Sequence, residues 1–97
     1  MRIEVPEFLK EIARTWSPID QGRVGGVFAL LADDEWRWDN RVDFQLSEAD
    51  KAELEVHPAE IVWAIAHVGV TVAFFEANDV IAVIYLNRRS GGTPGWV

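Results

Sequence analysis

Apolar positions recur along this chain with more than one period, and each period predicts a different kind of element. After an extended lead-in at Arg2 to Val5, the residues Phe8, Leu9, Ile12, Ala13 and Trp16 repeat at helical spacing. This predicts an amphipathic helix over residues 6–16, with Pro6 at the first position, where its missing N–H costs nothing. Ser17-Pro18-Ile19-Asp20 has the form of a second helix start, with Ser17 as cap and Asp20 reaching back. Gly22, Gly25 and Gly26 argue against that helix, since each costs a helix interior about 1 kcal/mol relative to alanine. The balance favours a turn, then a strand over about 24–32.

Residues 35–46 alternate strictly. Trp36, Trp38, Asn40, Val42, Phe44 and Leu46 fall on one side, and Glu35, Arg37, Asp39, Arg41, Asp43 and Gln45 on the other. Such alternation predicts a half-buried strand with the first set on the core and the second in water. The run exceeds the usual strand length of about five to six residues, so a break into two strands at Asp39-Asn40 is the variant of the same reading. Ser47-Glu48-Ala49-Asp50 resembles a capping box and predicts a short acidic helix to about residue 55. Pro58, Glu60 and the stripe Ile61, Val62, Ile65 and Val68 predict a further helix, closed by Gly69. Val70 to Phe75 and Val80 to Leu86 are β-branched and aromatic runs joined by Glu76-Ala77-Asn78-Asp79, a hairpin buried on both faces.

Together these elements predict one α+β domain over residues 1–87. Its sheet is small, mixed or antiparallel, with four to five strands, and two to three helices pack on one face. Residues 88–97, with Gly91, Gly92, Pro94 and Gly95, have the composition of a flexible tail, in which Trp96 is a candidate anchor for a partner's pocket. A length of 97 residues suits a single domain. The run Ile61 to Tyr85 is long enough to span a bilayer, but Glu76, Asn78 and Asp79 interrupt it. A charge near the membrane centre costs about 2.5–3.5 kcal/mol, so a membrane role is not expected. With no cysteine the fold uses neither disulfides nor thiolate metal ligands. Glu4 and Glu7 stand where a signal peptide carries basic and apolar residues, which points to the cytoplasm.

Charge changes the picture most. Residues 33–60 hold ten carboxylates against three bases, while the rest of the chain is balanced, so the whole net charge of −7 lies in this stretch. A domain acidic in its middle third attracts basic partners and repels nucleic acid. The expected function is therefore a non-enzymatic acidic protein-binding module that inhibits or masks a basic partner. A nuclease or nucleic-acid-binding effector is the example, in the manner of an anti-CRISPR or immunity protein, an analogy of charge and size with no motif behind it. The candidate contact residues are Asp33, Asp34, Glu35, Asp39, Asp43, Glu48, Glu53 and Glu55, with Trp36 and Trp38. On a strand, Glu35, Asp39 and Asp43 stand about 13 Å apart per step, wider than the roughly 7 Å between phosphates along one DNA strand, so the strand alone is no phosphate mimic. Arg37 and Arg41 on the same outer face weaken it.

Two readings compete with this one. The carboxylates can serve solubility alone, and Trp36 and Trp38, on the even side of the alternation, belong by default in the core; were that side exposed, the pair would become the contact centre. The alternative function is a structural or assembly subunit, a homodimer joined by the strand at 35–46 or by an aromatic patch. Enzymatic chemistry has little support. Glu60 and His67, seven residues apart on the expected helix, stand about 10 Å from each other, too far for a direct acid–base pair. His57 and His67 lack the spacing of a helical zinc site, the glycines match no phosphate-binding loop, and no serine sits in a nucleophile elbow, so neither a metal nor a cofactor is expected.

Overall fold

The structure, a computed structural model, describes residues 2–88. The chain runs β1 (Arg2–Glu4), α1 (Glu7–Arg14), α2 (Pro18–Leu31), α3 (Asp34–Asn40), β2 (Val42–Asp43), α4 (Glu48–Glu53), β3 (Trp63–His67), β4 (Val70–Ala77) and β5 (Val80–Arg88). The strands form one sheet in the order β1-β5-β4-β3-β2. β1 is parallel to β5 and every other neighbouring pair is antiparallel. This is the mixed five-stranded α+β fold that the patterning predicts.

Three elements differ from their sequence expectation. The strand expected over 24–32 is the second half of α2. Ser17 Oγ accepts a hydrogen bond from Asp20 N at 3.2 Å and Pro18 occupies the first turn, so the start signals prevail over the glycines. The helix is held by burial, because Val24, Val27 and Leu31 recur along one stripe and are almost fully covered.

The first half of the alternating run at 35–46 is helical. Asp33 Oδ1 accepts from Trp36 N at 3.1 Å and starts α3, which continues to Asn40. Only Val42 and Asp43 pair with β3. Alternation is a weak signal when an aspartate N-cap precedes it.

The helix expected over 58–69 is replaced by a loop and β3. Trp63, Ile65 and His67 alternate with Ala64 and Ala66, and Gly69 shares a two-residue hairpin turn with Val68 instead of closing a helix. Both turn residues have positive φ, 46° and 78°, the arrangement whose twist matches that of antiparallel strands. Valine pays for this conformation with a Cβ clash that asparagine or glycine tolerates better. Val68→Asn, which leaves an Asn-Gly turn, is expected to raise the unfolding free energy by about 1 kcal/mol in urea denaturation; a loss of stability would show that the turn is not left-handed at this residue. The β4–β5 turn is tighter than the sequence suggests. It uses Asn78 and Asp79 at φ 52° and 60°, leaving Glu76 and Ala77 in β4.

Both faces of the sheet are covered. On one, Leu9 of α1, Trp16, and Val24, Val27 and Leu31 of α2 pack on Ile65, Val70, Val72, Phe74, Ile81, Val83 and Leu86, with Trp36 of α3 and Trp63 alongside. On the other, Phe44, Leu46, Leu54 and Val56, from the segment around α4, cover Val62, Ala73, Phe75, Ile84 and Tyr85. Three helices thus share one face and α4 lies across the second, where the sequence pointed to helices on one face only; of the three, only α1 was expected to be a helix. A bulge at Ile84, opposite the Ala73–Phe74 step, lets Ile84 and Tyr85 both serve the second cluster. Burial there pushes the Tyr85 phenol above its ordinary value of 10.0.

β5 extends through Arg88, one residue beyond the expected domain end. Arg88 Nη1 lies 3.0 Å from Asp20 Oδ2, and its guanidinium lies over the Trp16 ring, tying the strand end to the start of α2. The rest of the expected tail, residues 89–97 with Trp96, lies outside the described residues. Among the described residues no helix is long and apolar enough to cross a membrane.

Candidate functional site

The acidic stretch does not fold onto one face. Asp34, Glu35 and Asp39 belong to α3, on the side of the first cluster. Glu48, Glu53 and Glu55 belong to α4 and its end, on the opposite side of the sheet, and Asp43 lies on the edge strand between them. Glu55 and Leu54 border a groove of about 650 Å³ whose other wall includes Arg2, Pro6 and Lys10, so α4 carries its charge away from α3 and towards the β1 side.

Several of these carboxylates have local work. Asp33 caps α3, Asp34 pairs with Arg37 at 2.8 Å, and Asp43 accepts from Gln45 Nε2 at 2.7 Å. Glu55 contributes through its backbone and not its carboxylate: it holds a positive φ of 59° just past α4. There Val56 N donates to Lys51 O at 2.7 Å and Glu55 N to Ala52 O at 3.1 Å, the paired bonds that close a helix through a left-handed residue. Glu35, Asp39, Glu48, Glu53 and Glu55 are exposed and their carboxylates form no ion pair among the described residues.

The residues that come together are ones the alternation placed in water. Arg37 is 1% exposed. Its Nε donates to Glu76 Oε1 at 2.6 Å, its Nη1 to Leu31 O at 2.6 Å and its Nη2 to Asp34 Oδ1 at 2.8 Å. Arg41 Nη1 donates to the second oxygen of Glu76 at 2.8 Å. Glu76, reaching from the middle of the sheet towards α3, is therefore the shared counter-ion of two arginines four residues apart on adjoining turns. The bond to Leu31 O also satisfies a carbonyl at the end of α2, where no intrahelical donor exists. Four charges of balanced sign, each hydrogen-bonded, make the burial tolerable.

Above this network lies a stack. The Arg41 guanidinium carbon is 3.2 Å from the centroid of the Trp38 ring and 4.0 Å from that of Trp63. Trp38 is 61% exposed, so the indole that covers Arg41 on one face offers its other face to solvent. This corrects the expected core position of Trp38. Trp36 is half-buried against the first cluster and meets the His67 ring edge-on, with centroids 5.4 Å apart. Glu35 stands at helical contact spacing from both Trp38 (i, i+3) and Asp39 (i, i+4), so one unpaired carboxylate adjoins the exposed indole and a second flanks the first.

Arg37, Arg41, Trp63 and Glu76 escaped the sequence reading. The signals were present: with Asp33 taken as N-cap, Asp34 and Arg37, Trp38 and Arg41, and Arg37 and Arg41 all stand at helical contact spacings. Glu60 and His67, considered for acid–base work, are at opposite ends of the segment that forms β3 and do not meet. The His57 ring instead accepts a hydrogen bond from Ala59 N at 3.1 Å. Among the described residues no three His, Asp or Glu side chains converge as a metal site would require. Comparison with known proteins finds no matching family model, no matching curated protein and no matching solved structure.

Proposed function

We propose that this protein is a non-enzymatic binding module, working in the cytoplasm, that masks a basic surface of a protein partner such as a nuclease, with α3 as its contact element. One observation carries the proposal: an exposed tryptophan, held from behind by a buried arginine, shares a helix face with two unpaired carboxylates. Aromatic anchors on rigid supports are typical centres of protein interfaces, and surrounding charge steers a complementary partner. The proposal narrows the broad acidic patch to Glu35, Trp38 and Asp39, because Asp33 and Asp34 serve the fold and Glu48, Glu53 and Glu55 lie across the sheet from α3.

Assembly through a sheet edge has less support. β2, the edge offered for pairing, has only two residues, short of the roughly five to six of a typical strand.

Inhibition of basic nucleases from the native host provides the test. Glu35→Lys with Asp39→Lys is expected to weaken inhibition at least tenfold and to flatten its dependence on salt, since exposed charges are screened within about 8 Å at physiological ionic strength. Glu48→Lys with Glu53→Lys, on the far side of the sheet, is expected to change it less than threefold. The opposite ranking would move the contact to α4 and reject α3.

A further inference from the structure

We propose, building on that reading, that the partner group seated on Trp38 is an arginine side chain. Its guanidinium stacks on the free indole face and is gripped by Glu35 and Asp39, so that the order Trp63, Arg41, Trp38 continues with one more guanidinium. The protein already makes this contact once. The inner face of Trp38 receives Arg41 at 3.2 Å, and the outer face has the same shape and the same quadrupole. A second cation so close to Arg41 would be repelled if Arg41 carried its charge unopposed. The Glu76 carboxylate 2.8 Å away offsets that charge, and Glu35 and Asp39 add negative charge on the outer side.

Arginine fits better than lysine for three reasons. Its planar head can lie flat on the ring while its N–H groups point sideways to the carboxylates of Glu35 and Asp39, at i and i+4 on the same helix. It is more weakly hydrated than an ammonium, so stacking removes less favourable solvation. Its fork can also meet both carboxylates together. The support is already fixed: Arg41 is held by Glu76 and the two indoles, so little ordering is left for the complex.

Titration of the ¹⁵N-labelled protein with tetra-arginine amide and tetra-lysine amide separates this inference from the reading beneath it. Trp38→Phe assigns the indole N–H resonance of Trp38. The expected result is a saturable shift of that resonance, at least threefold tighter for tetra-arginine than for tetra-lysine. Trp38→Leu should abolish the preference, and Glu35→Gln with Asp39→Gln should weaken both peptides. Equal affinity for the two peptides, or shifts centred away from Trp38, would overturn the arginine assignment while leaving charge-guided binding intact. Failure of both peptides to bind would overturn that reading as well.

Discussion

Glu76→Ala is expected to lower the unfolding free energy by about 3–5 kcal/mol, because it strips the common partner from two arginines that have almost no access to water. The side chains of Arg37 and Arg41 are 2% and 4% exposed. Arg37 would keep Leu31 O and Asp34, whereas Arg41 would keep only its indoles. For a domain of this size, stable by roughly 5–15 kcal/mol, the loss is a large fraction of the whole and corresponds to a fall in melting temperature of roughly 12 °C or more. Glu76→Gln should be milder than Glu76→Ala, since the amide oxygen still accepts one hydrogen bond while the charge is gone. Chemical denaturation measures both. A loss below about 1 kcal/mol for Glu76→Ala would mean that water reaches the arginines and that the network is a surface ion pair of little consequence.

The second large effect has the opposite sign. Replacing Gly22, Gly25 and Gly26 together by alanine is expected to stabilise the protein by about 2–3 kcal/mol, from roughly 0.8–1 kcal/mol of helix propensity at each site. All three lie inside α2 and are exposed, and a Cβ added at any of them would meet no atom within 4 Å. Nothing in the described packing requires the missing side chain, so the gain comes from removing backbone freedom in the unfolded chain. The melting temperature should rise by roughly 8 °C or more. A fall in stability would show that this face of α2 is covered in solution, or that residues 22–26 are not helical.

How far the fold was legible depends on which local signals agreed. In α1 the helical spacing and Pro6 pointed the same way, and a helix formed within the expected 6–16, as Glu7–Arg14 with Pro6 just before it. The β4–β5 hairpin was equally clear, because β-branched and aromatic runs on both sides of Asn78-Asp79 leave few alternatives. In α2 the signals conflicted: Ser17, Pro18 and Asp20 announced a helix and three glycines opposed it. The cap and a stripe of buried valine and leucine prevailed, since tertiary burial outweighs a propensity deficit of about 3 kcal/mol.

Residues 58–69 failed for another reason. Ile61, Val62, Ile65 and Val68 mark a helical stripe only if Trp63 and His67 are ignored, and a short apolar run suits either period. What decides it is pairing with β4 across the two-residue Val68-Gly69 turn, a hairpin that the helical stripe and Gly69 as a helix cap both disguised.

The candidate site was legible in part. Its carboxylates and tryptophans were singled out, but on a strand face, which put Arg37 and Arg41 in water and Trp38 in the core. Reading the same residues as a helix after Asp33 exchanges those positions, and the buried arginine pair then identifies Glu76 as the one carboxylate of β4 able to meet it. No local pattern announces Glu76, because its role arises only when β4 and α3 are packed together.

The account depends on Arg41 being held between Trp38 and Trp63 as a firm base for the exposed indole. NMR of the side chains tests this most directly. The account predicts that the Arg41 δ-protons are shifted strongly upfield by the two rings and show nuclear Overhauser contacts to both Trp38 and Trp63, with a slowly exchanging guanidinium. Arg41 side-chain shifts at their unfolded values, with no contact to either ring, would contradict it.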